Sequence, residues 1–124
     1  MTLPESELKK LTSFQCIEAA FILTREALYL QQQINQNHAK INYCNTHIDM
    51  EIKPLLDNYN KYLPYTQKRT NAINDNERTK KFAHIVLACH TQNELMSYLP
   101  TYLRALAETL IEFSKFKKTN QGLS

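Results

Sequence analysis

The chain has 124 residues, a formal net charge of +3 and a single glycine, Gly122. Its length suits one domain with one hydrophobic core, and we expect residues 1–118 to form that domain and residues 119–124 to fray. Because no other glycine is present, sites that depend on glycine loops are excluded, namely Walker loops, dinucleotide fingerprints and nucleophile elbows, and this favours a non-enzymatic protein without a cofactor.

The first predicted helix begins at a capping box, Thr2-Leu3-Pro4-Glu5, whose end residues can exchange hydrogen bonds between side chain and backbone. Apolar positions then recur every three or four residues until the polar run at residues 35–37, where we expect the helix to end. The predicted core-facing stripe is led by large side chains and widened by mostly smaller ones: Leu8, Leu11, Phe14, Ile17, Phe21, Leu28 and Ile34, with Ala20, Leu23, Ala27 and Leu30.

A second apolar set at helical spacing follows over residues 41–59. Pro54 lies within it and has no amide hydrogen, so it should kink this helix or divide it near Ile52. The stretch 64–75 is polar and basic, and we expect it to separate this helix from the next.

The third predicted helix has a cap at Asn74, with Glu77 three residues later. A similar capping pattern at residues 91–94 marks either a new helix or a surface turn, and the last helix carries an amphipathic stripe over residues 99–116. No segment alternates between apolar and polar residues as a strand does. We therefore predict an all-α fold, an antiparallel bundle of four to five helices with no sheet.

The sequence gives no sign of export or of a membrane span. The N-terminus lacks a basic region followed by an apolar stretch, and the most apolar window, residues 19–23, lies between Glu18 and Arg25. We therefore expect a cytoplasmic protein with no membrane partner. Three cysteines without a CxxC pair predict reduced, mostly buried thiols: Cys16, Cys44 and Cys89.

Positive charge is concentrated in the middle of the chain. Residues 58–85 hold six basic residues against Asp75 and Glu77, a local charge of +4. Lysines and arginines can neutralise phosphates, and nearby tyrosines can stack on unpaired bases. We therefore predict a basic face that contacts the backbone of single-stranded DNA or RNA, extended by the last helix if that helix lies alongside: Lys61, Lys68, Arg69, Arg78, Lys80, Lys81 and Arg104, with Tyr59, Tyr62 and Tyr65.

In size, helix content and mild positive charge, the chain resembles the small subunits of CRISPR effector complexes, which are helical bundles that line the path of guide and target strands. The resemblance extends over the whole length and depends on no motif. It implies a non-enzymatic subunit or adaptor of a larger protein complex with a role in antiviral defence. A pure protein-interaction module, such as a chaperone, adaptor or inhibitor, is the alternative that the sequence leaves open.

Arg78 and His84, separated by five residues, resemble the Arg-x(4–6)-His motif of the HEPN family of helical ribonucleases. The resemblance implies that His84 activates a ribose 2′-hydroxyl and that Arg78 holds the phosphate. It covers residues 78–84 alone. Thr79 replaces the asparagine or aspartate that often follows the arginine in that family, and the tyrosine often found after the histidine is missing. A ribonuclease using Arg78 and His84 is thus a further alternative.

Cys44, His47 and Glu51 lie at spacings of three and four, which place a thiolate, an imidazole and a carboxylate on one helix face. Such a trio could ligate one zinc or iron ion. Since one helix rarely directs three ligands at a single metal, and no paired Glu-x-x-His motif is present, we predict no metal site and keep the trio as the alternative.

Overall fold

The computed structural model describes the backbone of residues 11–122 and the side chains of residues 11–117. All regular structure in this range is helical and contains no strand, which confirms the predicted all-α class. The elements in chain order are α1 (Ser13–Ile52), a 3₁₀ helix (Lys53–Asn58), α2 (Tyr65–Asn74), α3 (Glu77–Met96) and α4 (Leu99–Gly122). In the described part of the chain, no helix has the length and apolar character that crossing a membrane requires.

Helix α1 begins at a capping box that the sequence analysis missed. The Thr12 hydroxyl oxygen accepts a hydrogen bond from the Gln15 amide at 3.1 Å, and the Gln15 side-chain oxygen accepts one from the Thr12 amide at 2.9 Å. This reciprocal pair satisfies two amides that the first helical turn leaves without backbone partners. The box predicted at Thr2 and Glu5 lies outside the described residues.

Helix α1 continues through residues 35–37, so the helix end predicted there is wrong. Asn37 is only 6% exposed, and its side chain is hydrogen-bonded to α3, so this polar residue faces the interior instead of starting a loop. The helix ends at Ile52, where division by Pro54 was predicted, and the proline lies in the first turn of the 3₁₀ helix. Proline is accepted there because first-turn amides have no helical partner.

The segment between α1 and α3 is more helical than its composition suggested. Helix α2 occupies most of the polar and basic stretch 64–75. Helix α3 is capped by Asn76, two residues after the predicted cap, since the Asn76 side-chain oxygen accepts from the amides of Arg78 at 2.9 Å and Thr79 at 3.4 Å. It continues without a break through residues 91–94.

The chain divides into two compact units. Unit 1 holds the chain up to Gln33 and from Met96 onward, and unit 2 holds Ile34–Leu95. The single domain over residues 1–118 and the frayed residues 119–124 stay predictions, although the backbone of α4 is helical as far as Gly122.

Unit 1 pairs the first half of α1 with α4 in antiparallel orientation. The Ser13 hydroxyl donates to the Ser114 carbonyl at 3.1 Å, and the Lys117 ammonium donates to the Leu11 carbonyl. Its buried core is made of small and medium side chains: Cys16, Ala20, Ala107 and Leu110. Of the large residues predicted to lead the core stripe of α1, Ile34 is buried and Leu11 packs against this core, while Leu8 lies outside the described residues. Four others are exposed, so that part of the prediction is wrong: Phe14, Ile17, Phe21 and Leu28.

Unit 2 pairs the second half of α1 with α3, again antiparallel, since Asn37 contacts Asn93 and Glu51 contacts Arg78. Helix α2 and the 3₁₀ helix close this core. Half-buried residues, among them Leu55 and Phe82, pack against this core. The buried core residues come from α1 and α2: Ile48, Ile52, Ala72 and Ile73. Unit 2 also carries most of the residues predicted to bind nucleic acid.

Candidate nucleic-acid interface

A tight connection without glycine joins the 3₁₀ helix to α2. The Asn60 side-chain oxygen accepts from the Tyr62 amide at 2.9 Å, and the Asn60 carbonyl accepts from the Leu63 amide at 3.0 Å. Pro64 follows in an extended conformation, and its carbonyl begins the hydrogen-bonding of α2. Asparagine and proline thus supply the local turn chemistry that glycine often provides.

Two lysines and two tyrosines project from this connection and from the first turn of α2, and we call them the lysine–tyrosine surface: Lys61, Tyr62, Tyr65 and Lys68. The rings of Tyr62 and Tyr65 are 82% and 60% exposed. The Lys61 ammonium lies 5.2 Å from the centre of the Tyr62 ring, and the Lys68 ammonium lies 3.5 Å from the Lys61 carbonyl oxygen. The fold therefore places the Lys61 ammonium beside one accessible ring and brings the Lys68 ammonium to the backbone of Lys61, with Tyr65 exposed on the same turn of α2 as Lys68.

The two arginines of the predicted basic face have carboxylate partners on α1. The Arg69 guanidinium contacts one oxygen of Asp49 at 3.2 Å, and Arg78 Nε lies 2.8 Å from Glu51. Charges counted along residues 58–85 omit these two carboxylates, which lie earlier in the chain. The net positive charge of this region is consequently smaller than the +4 of residues 58–85 alone, and the lysines supply most of it.

The remaining predicted cations differ in accessibility. Lys81 is exposed on the first turns of α3, and Lys80 beside it is half-buried. Arg104 is exposed on α4, which belongs to unit 1. Of the seven residues predicted to bind nucleic acid, Lys61 and Lys68 are the pair that a direct contact brings together.

Tyr59 is near the lysine–tyrosine surface but has a structural role. Its hydroxyl donates to the Asp75 carboxylate at 2.5 Å, and its ring packs against the core of unit 2. The hydrogen bond to Asp75 raises the pKa of Tyr59, with smaller contributions from burial and from the negative charge of Asp75. Tyr59 therefore anchors the connection and is not an accessible ring for stacking.

Replacing Tyr59 by phenylalanine is expected to remove the part of the tyrosine titration that occurs above the ordinary tyrosine pKa. Because its pKa is higher in the folded chain, the hydrogen bond stabilises the fold at neutral pH, and this contribution is lost as the pH rises from about 10 through the folded-state pKa. Tyrosinate absorbance against pH tests this in the wild type, in Tyr59→Phe and in the exposed control Tyr62→Phe. A late component that persists in Tyr59→Phe would contradict the assignment.

The two residues of the ribonuclease hypothesis lie on α3. Arg78 is held by Glu51, and His84 is exposed. Six helical positions rotate one side chain from the other by about 120° around the axis, so the helix alone does not direct both at one phosphate. Ribonuclease activity stays a hypothesis from the sequence.

The trio considered for metal binding has other contacts. The Cys44 thiol is buried, and burial together with the nearby Cys89 raises its pKa, which disfavours the thiolate that a metal needs. His47 lies between the rings of Tyr43 and Phe82, with centroid distances of 4.3 and 5.6 Å. Within residues 11–117, no group of three or more histidine, cysteine, aspartate or glutamate side chains is arranged to hold a metal ion.

All three cysteines are free and buried, as the sequence predicted: Cys16, Cys44 and Cys89.

Comparisons with protein-family models, curated proteins and solved structures find no match to this chain. Its function is therefore inferred from its own side chains.

Proposed function

We propose that this chain is a non-enzymatic helical subunit or adaptor of a larger cytoplasmic complex, and that its lysine–tyrosine surface contacts the backbone of a single DNA or RNA strand. The observation that carries the proposal is the pair of exposed tyrosines, Tyr62 at 82% and Tyr65 at 60%, in the same short segment as Lys61, which lies over the Tyr62 ring, and Lys68. A CRISPR effector complex is one setting of this kind, and its support is the likeness in size, helix content and charge.

The chemistry of this surface suits an unpaired strand better than a duplex. Each lysine can neutralise one phosphate and release its counterion, which makes binding dependent on salt. Each accessible ring can stack on one base with little preference for sequence, a contact of about 1–3 kcal/mol. A duplex keeps its bases stacked on one another and offers these rings no free base face.

The lysines are better candidates for phosphate contact than the arginines. Arg69 and Arg78 each have a carboxylate partner that offsets their positive charge, so we expect them to contribute less than the lysines. Lys61 and Lys68 accordingly form the centre of the proposed interface. Lys80 and Lys81 add positive charge on the neighbouring helix α3.

The test is binding of a labelled homopolymeric single strand, DNA or RNA, followed by fluorescence anisotropy at several salt concentrations. Replacing both Lys61 and Lys68 by glutamine is expected to reduce the slope of log affinity against log salt by about 1.4, since each phosphate neutralised on a single strand contributes about 0.7. Replacing Tyr62 and Tyr65 by alanine should weaken binding at every salt concentration and leave the slope unchanged.

The matched control replaces Lys40 and Lys53, two exposed lysines of α1 and the 3₁₀ helix, by glutamine. It removes the same charge at positions outside the proposed interface. An equal loss of slope in this control would show that only net charge matters. If the wild type fails to bind a single strand even at low salt, the proposal is wrong.

A pure protein-interaction module is the second candidate, and a different observation favours it. Large apolar residues on the first half of α1 are exposed, among them Phe14 at 74% and Phe21 at 69%. Exposed apolar patches of this kind often mark contacts between proteins. Under this alternative, the chain does not bind a single strand, while substitutions on that face of α1 still change its association with a partner protein.

A further inference from the structure

Helix α1 has two separate apolar faces in unit 1, and α4 covers one of them. Cys16, Ala20 and Ala27 are buried. The second face, which we call the α1 stripe, repeats at spacings of three, four and seven residues and lies roughly 110° around the helix axis from the buried face. Its four members are 74%, 51%, 69% and 57% exposed in chain order: Phe14, Ile17, Phe21 and Leu28.

The stripe is as large as a functional patch. With side-chain areas of about 150–250 Å² for the aromatic residues, the four exposed fractions correspond to on the order of 450 Å² of apolar surface. The largest apolar patch on a typical monomer is about 300–600 Å² and often marks an interaction site.

A second copy of the same stripe would make an interface of adequate size. Two copies of four side chains contribute on the order of 900 Å², and the exposed side chains of Glu18 and Arg25 beside the stripe bring the total toward the roughly 1,200–2,000 Å² of stable protein interfaces. An isologous contact of this kind is the commonest arrangement in soluble oligomers. Two pairs of antiparallel helices would then combine as in a four-helix bundle.

The charges beside the stripe select an antiparallel contact. Glu18 and Arg25 are exposed and seven residues apart, at equivalent positions of the heptad repeat. If Phe21 lies near the two-fold axis, Phe14 of one copy faces Leu28 of the other. Glu18 of each copy then lies beside Arg25 of the other. A parallel contact in register would place the equivalent flanks on opposite sides of the seam, and Glu18 would not meet Arg25.

The same charges argue against a lipid surface as the occupant. Helices that lie on membranes carry many lysines and arginines on their polar face. The segment around the stripe has Glu18 and Glu26 against one basic residue, Arg25. Its polar face is therefore acidic on balance.

We propose that the α1 stripe binds a second copy of this chain, with the two α1 helices antiparallel and crossing near Phe21. The interface joins unit 1 to unit 1 and is independent of the strand contact proposed for unit 2. In this dimer a second copy of the chain covers the exposed apolar residues of α1, which would otherwise be available to an unrelated protein.

The test is sedimentation equilibrium of the full chain over a range of concentrations. A reducing buffer is used because it excludes disulfide-linked dimers. The wild type should form dimers, and Phe21→Glu should weaken self-association at least about tenfold, since a buried carboxylate without a partner is strongly disfavoured. Phe116→Glu on α4 is the control, because Phe116 is 62% exposed and lies outside the stripe. Circular dichroism should show unchanged helix content in both variants.

Charge reversal tests the orientation. Glu18→Arg alone should weaken the dimer because it places arginines beside each other, and the double variant Glu18→Arg with Arg25→Glu should restore it. A wild type that is monomeric at its highest soluble concentration would overturn the proposal. So would a dimer that dissociates in Phe116→Glu but not in Phe21→Glu, and a double variant that fails to restore association would overturn the antiparallel orientation.

Discussion

Replacing Ile48 by alanine is expected to lower the free energy of unfolding by about 2–5 kcal/mol, the usual range for removing a large aliphatic side chain from a packed core. Ile48 is 1% exposed and contacts the core that α1 and α2 form in unit 2. The substitution removes apolar contacts and leaves a cavity that the helices around it cannot fully close. Denaturant unfolding followed by circular dichroism measures the loss.

Ile85→Ala is the matched control, because it makes the same chemical change in the same unit at a residue that is 43% exposed. Its cost should be about 1 kcal/mol or less, since much of the isoleucine already contacts water. If the two variants lost equal stability, Ile48 would not occupy the centre of the core.

Replacing Asn93 by leucine is expected to destabilise unit 2 by about 1–3 kcal/mol, because it leaves one of the two N–H groups of the buried Asn37 amide without an acceptor. The Asn37 amide nitrogen donates to Gln92 at 3.1 Å and to Asn93 at 3.0 Å. The Asn93 amide in turn donates to the Ile34 carbonyl at 3.3 Å. Asn37 and Asn93 are 6% and 8% exposed, so water cannot readily replace the lost hydrogen bond.

A double-mutant cycle separates this effect from a simple change of shape. Replacing Asn37 and Asn93 together by leucine removes both polar partners, so the double variant should be more stable than Asn93→Leu alone. The free energies of unfolding of the wild type, Asn37→Leu, Asn93→Leu and the double variant give the coupling energy between the two asparagines. Additive losses would show that the two asparagines do not depend on each other.

The candidate interface shows the limit of counting charge along a sequence. The local excess of positive charge and the nearby tyrosines predict a basic face from the sequence alone. The pairing of Arg69 with Asp49 and of Arg78 with Glu51 is not predictable in this way, because these carboxylates precede the segment and meet it only when α2 and α3 pack on α1. The lysines and the exposed tyrosines are what this packing leaves available.

The apolar pattern of α1 met a similar limit. Its periodicity correctly predicts a helix, and the same pattern wrongly predicts that the large residues Phe14 and Phe21 lie in the core. The structure buries Cys16 and Ala20 instead, since small side chains let α4 approach closely. Periodicity locates apolar faces on a helix, but it does not say which face packs within the chain and which is left for a partner.

The all-α class and the division of the chain beside Pro54 follow from local backbone preferences, so both are predictable from the sequence. The burial of Asn37, the ion pairs of the two arginines and the exposure of the α1 stripe arise only when the helices pack. These properties depend on which residues meet across helices, where a contact between distant positions outweighs the preference of each residue alone.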